Sequence, residues 1–247
     1  MKNSSFYLGL FGLTFFAKAA QAELALGAGL AVFQNPQKGF EAEKIALPLV
    51  SYQSERLSFR VTTLSYRIAS LGELEINALA SGRIQGYEAA DSPYLDGMKT
   101  RSNTLDGGIS LDWNGFSLSY KHDLLAKYKG DEVALSYSKG FEFGKLQLIT
   151  GAGVTWQSEK LNHYYFGVDA TEAKTFSVEN TLFNRHYYQT EAALVPKINA
   201  LGIYSLSKSW ALIGGAEVEF LPSEITDSPI IGEKNAWGVF VGLVRNF

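Results

Sequence analysis

Trp113-Asn114-Gly115-Phe116-Ser117-Leu118-Ser119-Tyr120-Lys121-His122 is the stretch whose reading decides the fold. Phe116, Leu118 and Tyr120 fall on one side of an extended chain and Ser117, Ser119 and Lys121 on the other, because side chains along a strand alternate with a period of two. Asn114-Gly115 just ahead of it is the dipeptide that best tolerates the positive φ values of a type I′ hairpin turn. The stretch therefore predicts two antiparallel strands joined by a tight turn, with one face apolar and the other small or polar.

The same alternation extends outward in both directions. Val133, Leu135 and Tyr137 oppose Ala134, Ser136 and Ser138; Leu146, Leu148, Ala152, Val154 and Trp156 oppose Gln147, Gly151, Gly153 and Thr155; Leu212, Ala216, Val218 and Phe220 oppose Glu217 and Glu219. Further strands are predicted over residues 24–33, 44–52, 57–68, 74–84, 104–113, 188–206 and 236–247. Several reach ten residues, close to the roughly 9–11 that a tilted strand needs to cross a bilayer and well beyond the 5–6 or so usual in soluble sandwiches. Short connections (residues 53–56, 114–115, 141–144 and 207–208) separate some strands, and long polar ones (85–103, 158–187 and 222–235) separate others. Transmembrane barrels show this arrangement, with turns facing the periplasm and loops facing out. The expected fold is all-β: a closed antiparallel transmembrane barrel of about twelve strands, with ten as the alternative. Eleven strands are read directly, and bacterial single-chain barrels hold an even number. The expected repair is a twelfth strand within 158–187, where Tyr164, Phe166 and Val168 alternate; the alternative drops the N-terminal strand. Residues 57–68 change face between Val61 and Leu64, so a bulge is expected near Thr62 and Thr63.

Composition narrows the class further. With 13% aromatic and 19% charged residues the chain is not of a disordered type, and with no cysteine it is not a disulfide scaffold. The net charge is −3 with no basic block, which excludes nucleic acid as an expected partner. At the N-terminus, Lys2, the apolar run 6–16 and Ala20-Gln21-Ala22 follow the order of a cleaved Sec signal peptide, so residues 1–22 are expected to be removed, leaving one barrel domain over 23–247. Cleavage would take away Lys2 and Lys18, leaving 20 basic against 25 acidic side chains, a net charge of −5. At the other end Val239, Val241 and Leu243 lead at alternate positions to a terminal Phe247, the pattern read by barrel-assembly machinery; Arg245 interrupts it. The expected location is the outer membrane of a Gram-negative bacterium, in contact with its lipid and lipopolysaccharide.

Alternation also places charges inside the barrel: Arg60, Glu75, Arg83, Asp106, Asp112, Lys121, Glu132, Glu191, Lys197, Glu217 and Glu219. Both signs are present, and buried charges require partners, so a largely closed, networked interior is expected rather than a wide pore. Chemistry is sparse. His122, His163 and His186 have neither cysteines nor i,i+4 spacing to make a metal site, and no serine stands out as a nucleophile beside His122-Asp123, so no enzyme, metal or cofactor is expected. Gly27-Ala28-Gly29 and Gly151-Ala152-Gly153 lie within strands and lack the following helix of a phosphate loop. Tyr164, Tyr165, Phe166, Tyr187 and Tyr188 are expected in an interfacial girdle, with an adhesive loop surface as the alternative; Trp113, Trp156, Trp210 and Trp237 fall at strand ends. In the last long loop, Asp227-Ser228-Pro229 is expected to cap a turn through the Asp carboxylate.

Several segments carry a family resemblance: Gly82-Arg83 to Gly86-Tyr87 with the following Asp91-Ser92-Pro93-Tyr94-Leu95-Asp96-Gly97-Met98-Lys99-Thr100-Arg101, then Tyr164-Tyr165-Phe166-Gly167-Val168, and Ile225-Thr226-Asp227-Ser228-Pro229-Ile230-Ile231. Together with Leu47-Pro48-Leu49 and residues 206–210 they resemble the MipA/OmpV (MltA-interacting protein) family across nearly all of the mature chain. The resemblance implies an outer-membrane β-barrel without catalytic residues. The family's namesake links a murein-degrading transglycosylase to a murein synthase, and other members are described as porin-like or adhesive. The family usually ends in aromatic-Arg-Phe, so Arg245-Asn246-Phe247 is a departure.

Overall fold

A computed structural model describes residues 23–247, so the expected signal peptide lies outside the described residues. Before the first long loop the chain forms β1 (Glu23–Gln34), β2 (Glu43–Gln53), β3 (Leu57–Arg60), β4 (Thr63–Leu71) and β5 (Leu74–Arg83). It continues through β6 (Thr104–Trp113), β7 (Phe116–Asp123), β8 (Asp131–Phe143) and β9 (Leu146–Gln157). Helix α1 (Glu159–Phe166) and a hairpin of β10 (Lys174–Val178) and β11 (Thr181–Arg185) follow, then β12 (Ala193–Ser205), β13 (Trp210–Phe220), the short α2 (Ser223–Thr226) and β14 (Asn235–Asn246).

All of these strands except β10 and β11 join in one closed barrel of twelve, each antiparallel to its neighbours. β1 completes the ring against β14, from Ala25 opposite Asn246 to Gln34 opposite Trp237. Closure gives nearly all of the wall's polar backbone groups a partner, as hydrocarbon surroundings demand. The alternation in the sequence becomes an inside and an outside: Phe116, Leu118 and Tyr120 are exposed on the outer surface, whereas Ser117 is buried inward. Trp113 and Trp210 mark the end that carries the short turns, and Trp156 and Trp237 the end that carries the long loops. Val239, Val241 and Leu243 face outward, and the Phe247 N–H donates to the Leu24 carbonyl at 2.9 Å.

The twelfth strand is not where the sequence placed it. Residues 57–68 change face because the chain reverses there: β3 ends at Arg60, Val61 and Thr62 turn, and β4 returns with Thr63 opposite Arg60 and Leu64 opposite Phe59. No bulge sits at Thr62 and Thr63; the register shift lies between Arg67 and Ala69, against β5. No residue type marks the turn, which contains neither Gly nor Asn, and Val61 adopts φ 52°, a rare conformation for a β-branched residue. Within 158–187, Tyr164 and Phe166 are helical, on α1, and Val168 makes an isolated bridge to Tyr188. The strand read from 188 begins only at Ala193.

Two apolar clusters organise the interior. One lies inside the wall, where Phe33, Leu47, Leu49, Ala236 and Val244 of β1, β2 and β14 pack with Ala211 of β13. It depends on close strand approach. A Cβ added at Gly242 would collide with Leu49 and stand 2.8 Å from the Ala28 carbonyl oxygen across the closing seam. Gly242→Val is therefore expected to block the β1–β14 closure, seen as loss of the fast-migrating folded band on unheated gels while Gly72→Val, at a site with nothing within 4 Å although its φ is positive, leaves most of that band. The second cluster lies beyond the barrel, among the long loops.

Candidate functional site: a capped lumen open at the turn end

The long loops fold over one mouth of the barrel and share a core of their own. Tyr87, Leu95 and Met98 come from the β5–β6 connection, Tyr128 from β7–β8, Leu161, Tyr165, Phe166 and Val168 from α1 and its exit, and Ile225, Ile230 and Ile231 from β13–β14; all are buried. Tyr165 and Phe166 are thus core residues of a cap, neither a membrane girdle nor an adhesive surface. Ser158 starts α1 as its N-cap, and its hydroxyl also accepts the Asp131 N–H at 2.9 Å, fastening the helix to the top of β8.

Polar latches hold these loops to one another. Arg101 and Glu172 form a two-pronged ion pair at 3.0 and 2.8 Å with side chains 6% and 1% exposed, and Glu172 further accepts the N–H groups of Lys99 (2.9 Å) and Asp169 (3.1 Å). Burial disfavours the Glu172 carboxylate, but Arg101 and these two N–H donors outweigh it and hold its pKa below the ordinary value. Arg185, fully buried, donates to the carbonyls of Tyr94 (2.9 Å), Asp96 (2.8 Å) and Glu172 (2.8 Å), tying the β10–β11 hairpin to the β5–β6 loop. In the Asp227-Ser228-Pro229 segment the fastening contact is made by Ser228, whose hydroxyl donates to the Phe166 carbonyl at 2.6 Å, and not by the Asp227 carboxylate.

Below the cap lies a cavity of about 1280 Å³ that reaches down to turn residues Ser54, Glu55, Gly72, Glu73 and Asn114. Of the charges expected inside, Arg60, Glu75, Asp112 and Lys197 line it, as do Arg83, Asp106, Lys121, Glu132 and Glu219. Arg83 is the centre of a network at its upper end: one nitrogen lies 2.7 Å from Asp106 and 2.8 Å from Glu132, Lys121 reaches Glu132 at 3.0 Å, and the Tyr128 hydroxyl donates to Asp106 at 2.7 Å. Asp112 accepts from Asn77 and Ser110, both at 2.7 Å, and Glu217 is buried beside Lys197 (3.9 Å) and Asn199 (3.2 Å). Glu191 is not a lumen residue: it precedes β12, its side chain is exposed, and its carbonyl accepts from Asn162 at 2.9 Å. The inward charges pair within the lumen, and the folded loops lie across the outer mouth. Arg101, Glu172 and Arg185 were not singled out from sequence; the signal for them was the apolar content of nominally polar loops, which implies a buried core and hence paired charges.

No group of His, Asp or Glu suited to a metal is found among the described residues. Outward apolar faces, short turns at one end and folded loops at the other define an outer-membrane β-barrel. The profile of the family described as "MltA-interacting protein MipA" matches residues 26–247, and the chain belongs to that family. It is 26% identical to the putative outer membrane protein YiaT of Escherichia coli K12, covering 97% of both chains. It is 22% identical to the MltA-interacting protein of the same strain (92% of both chains) and 25% identical to outer membrane protein OmpV of Vibrio cholerae (82% of this chain, 78% of the relative). Among solved structures, a Pseudomonas aeruginosa FadL homologue aligns over 92% of this chain and 90% of its own at 9% identity with a TM-score of 0.40.

Proposed function

We propose that this protein is a non-catalytic outer-membrane anchor that holds periplasmic partners, murein hydrolases and synthases in particular, at the inner face of the outer membrane. The observation that carries the reading is the asymmetry of the barrel: the mouth on the loop side is covered by a cap with its own core, while the lumen reaches the end that carries the short turns. The name of the E. coli relative, MltA-interacting protein, supports the choice of partner. Short turns offer little area, and a standard stable interface buries about 800 Å² on each side, so the rim and several turns would act together. Replacing the turn charges Glu55, Arg56, Glu142 and Lys145 with alanine is expected to reduce co-purification of murein enzymes from crosslinked envelopes several-fold while the barrel keeps its heat-modifiable mobility. Unchanged recovery would remove the turn surface from the proposal.

Two other functions remain as competing readings. A small-solute porin-like channel requires the cap to open, and planar-bilayer recording of the unmodified protein is expected to give little steady conductance. A surface adhesin would use the β10–β11 hairpin, where Leu182 is 76% exposed. Leu182→Asn tests it without disturbing Glu172, whereas a deletion running from 172 would remove a latch of the cap. Cell binding lost in Leu182→Asn, with no periplasmic partner recovered, would favour the adhesin.

A further inference from the structure

The barrel wall itself is incomplete on one side. β3 has four residues, and only Ser51, Tyr52 and Gln53 of β2 pair with it. The outer stretch of β2, residues 43–50, pairs with β1, but among the described residues no strand pairs with its other edge above Ser51. The Val50 carbonyl accepts the Val61 N–H at 3.4 Å, so Val50 points its backbone polar groups away from β1, and by the period of two Pro48, Ala46 and Lys44 do the same. Pro48 therefore sits where its missing N–H costs no ladder bond, the position to which proline in a sheet is confined.

The gap has a sill, two jambs and a lintel. Its sill is the Val61-Thr62 turn; the far jamb is the outer end of β5, where the Gly82 N–H donates to the Thr62 carbonyl at 2.9 Å. Above, the β5–β6 loop crosses to the β1–β2 loop, where the Ser92 hydroxyl donates to the Lys38 carbonyl at 2.6 Å. At the sill, β2 and β5 are three strand spacings apart, about 14 Å. Outward-facing Ala46, Pro48 and Val50 lie opposite Leu30, Ala28 and Leu26 of β1, which sets the gap at hydrocarbon height, with Lys44 at its upper limit. On the inside, Val61, Thr62, Gly82 and Gln85 belong to the lining of the lumen cavity. The cavity thus borders the gap from within, along its sill and far jamb.

We infer that this gap is a lateral portal through which a single-chain anionic amphiphile, of the long-chain carboxylic acid type, passes between the outer leaflet and the lumen. The apolar rim of Pro48, Val50 and Leu64 suits a hydrocarbon tail, Leu79 continues an apolar contact inside, and Arg60, which donates to Gln53 at 2.8 Å, sets a cation behind the sill for the carboxylate. A protein strand is the poorer occupant: Pro48 leaves the edge without a donor midway between the N–H groups of Ala46 and Val50 and interrupts any added ladder. The inference does not depend on the partner-holding function.

The test uses the full-length mature barrel in phospholipid vesicles with a diazirine-bearing palmitic acid as probe. After illumination, mass spectrometry is expected to find adducts on lumen-facing Leu79 and Ser81 as well as on lipid-facing Leu30 and Ile109. Gly82→Trp fills the gap with little strain, because a Cβ there would meet nothing nearer than 3.7 Å. It is expected to lower the lumen adducts at least tenfold and to leave the lipid-facing ones unchanged, with the folded gel mobility retained. Adducts confined to lipid-facing residues in the unmodified protein would overturn the portal. Lumen adducts that persist in Gly82→Trp would assign access to the turn end and overturn it equally, as would crosslinks from the gap to a second protein chain.

Discussion

Glu172→Ala is expected to give frequent, long-lived openings in planar bilayers, where the unmodified barrel is expected to pass little steady current. The substitution leaves the Arg101 guanidinium buried without its carboxylate and strips the N–H groups of Lys99 and Asp169 of their acceptor. Breaking one side of a buried ion pair costs about 3–5 kcal/mol, a large part of what loops packed around one small core can supply. The strands keep their ladders, so the loss falls on the cap and not on the barrel. Arg101→Met combined with Glu172→Gln removes both charges and retains an acceptor for one of the two N–H groups; this pair of changes is expected to leave the mouth largely shut, which separates loss of the latch from loss of a carboxylate as such. Acid is expected to act in the same direction as Glu172→Ala. The folded-state pKa of Glu172 lies below its ordinary 4.5, so the stabilisation is complete above that pH and is lost as the pH falls through the folded pKa. Conductance that rises only as the pH falls below 4.5 would follow; a current independent of both pH and Glu172 would place the seal elsewhere.

Arg83→Met is expected to lower the stability of the whole barrel by about 3–5 kcal/mol, read as a shift in the urea unfolding midpoint in detergent or vesicles. Arg83 serves two carboxylates that are nearly inaccessible, Asp106 and Glu132, and after its removal Glu132 keeps Lys121 while Asp106 keeps only the Tyr128 hydroxyl. Adding Asp106→Asn to Arg83→Met is expected to recover most of the loss, because the orphaned charge is then gone. Arg83→Lys is expected to fall between, since a point-like ammonium cannot reproduce the planar fork that meets two acceptors. If Arg83→Met unfolds at the same urea concentration as the parent, the network contributes position and not stability.

Local sequence alone determined the class of this protein. Period-two alternation, strand lengths near ten residues, Asn114-Gly115 and the contrast between short and long connections are each written within a few neighbouring residues, because a wall with lipid on one side and a lumen on the other imposes its two-sidedness on every strand. The same alternation placed Arg83, Asp106 and Glu132 inward, yet which of them would meet was fixed only by closure, which brings β5, β6 and β8 around a common interior. Tertiary structure alone decided four further things. Val61 and Thr62 reverse the chain although neither is a turn residue by type, since the neighbouring strands and not local preference hold Val61 at positive φ. Tyr164, Tyr165 and Phe166 wind into α1 because their rings find a core contributed by loops far apart in sequence, which no window of neighbouring residues can register. Glu172 and Arg101, 71 positions apart, become a buried latch only when two loops fold across the same mouth, and the gap beside Pro48 exists only because β3 is four residues long. Pairing between distant segments depends on the geometry of the closed ring, and that geometry is a property of all twelve strands together.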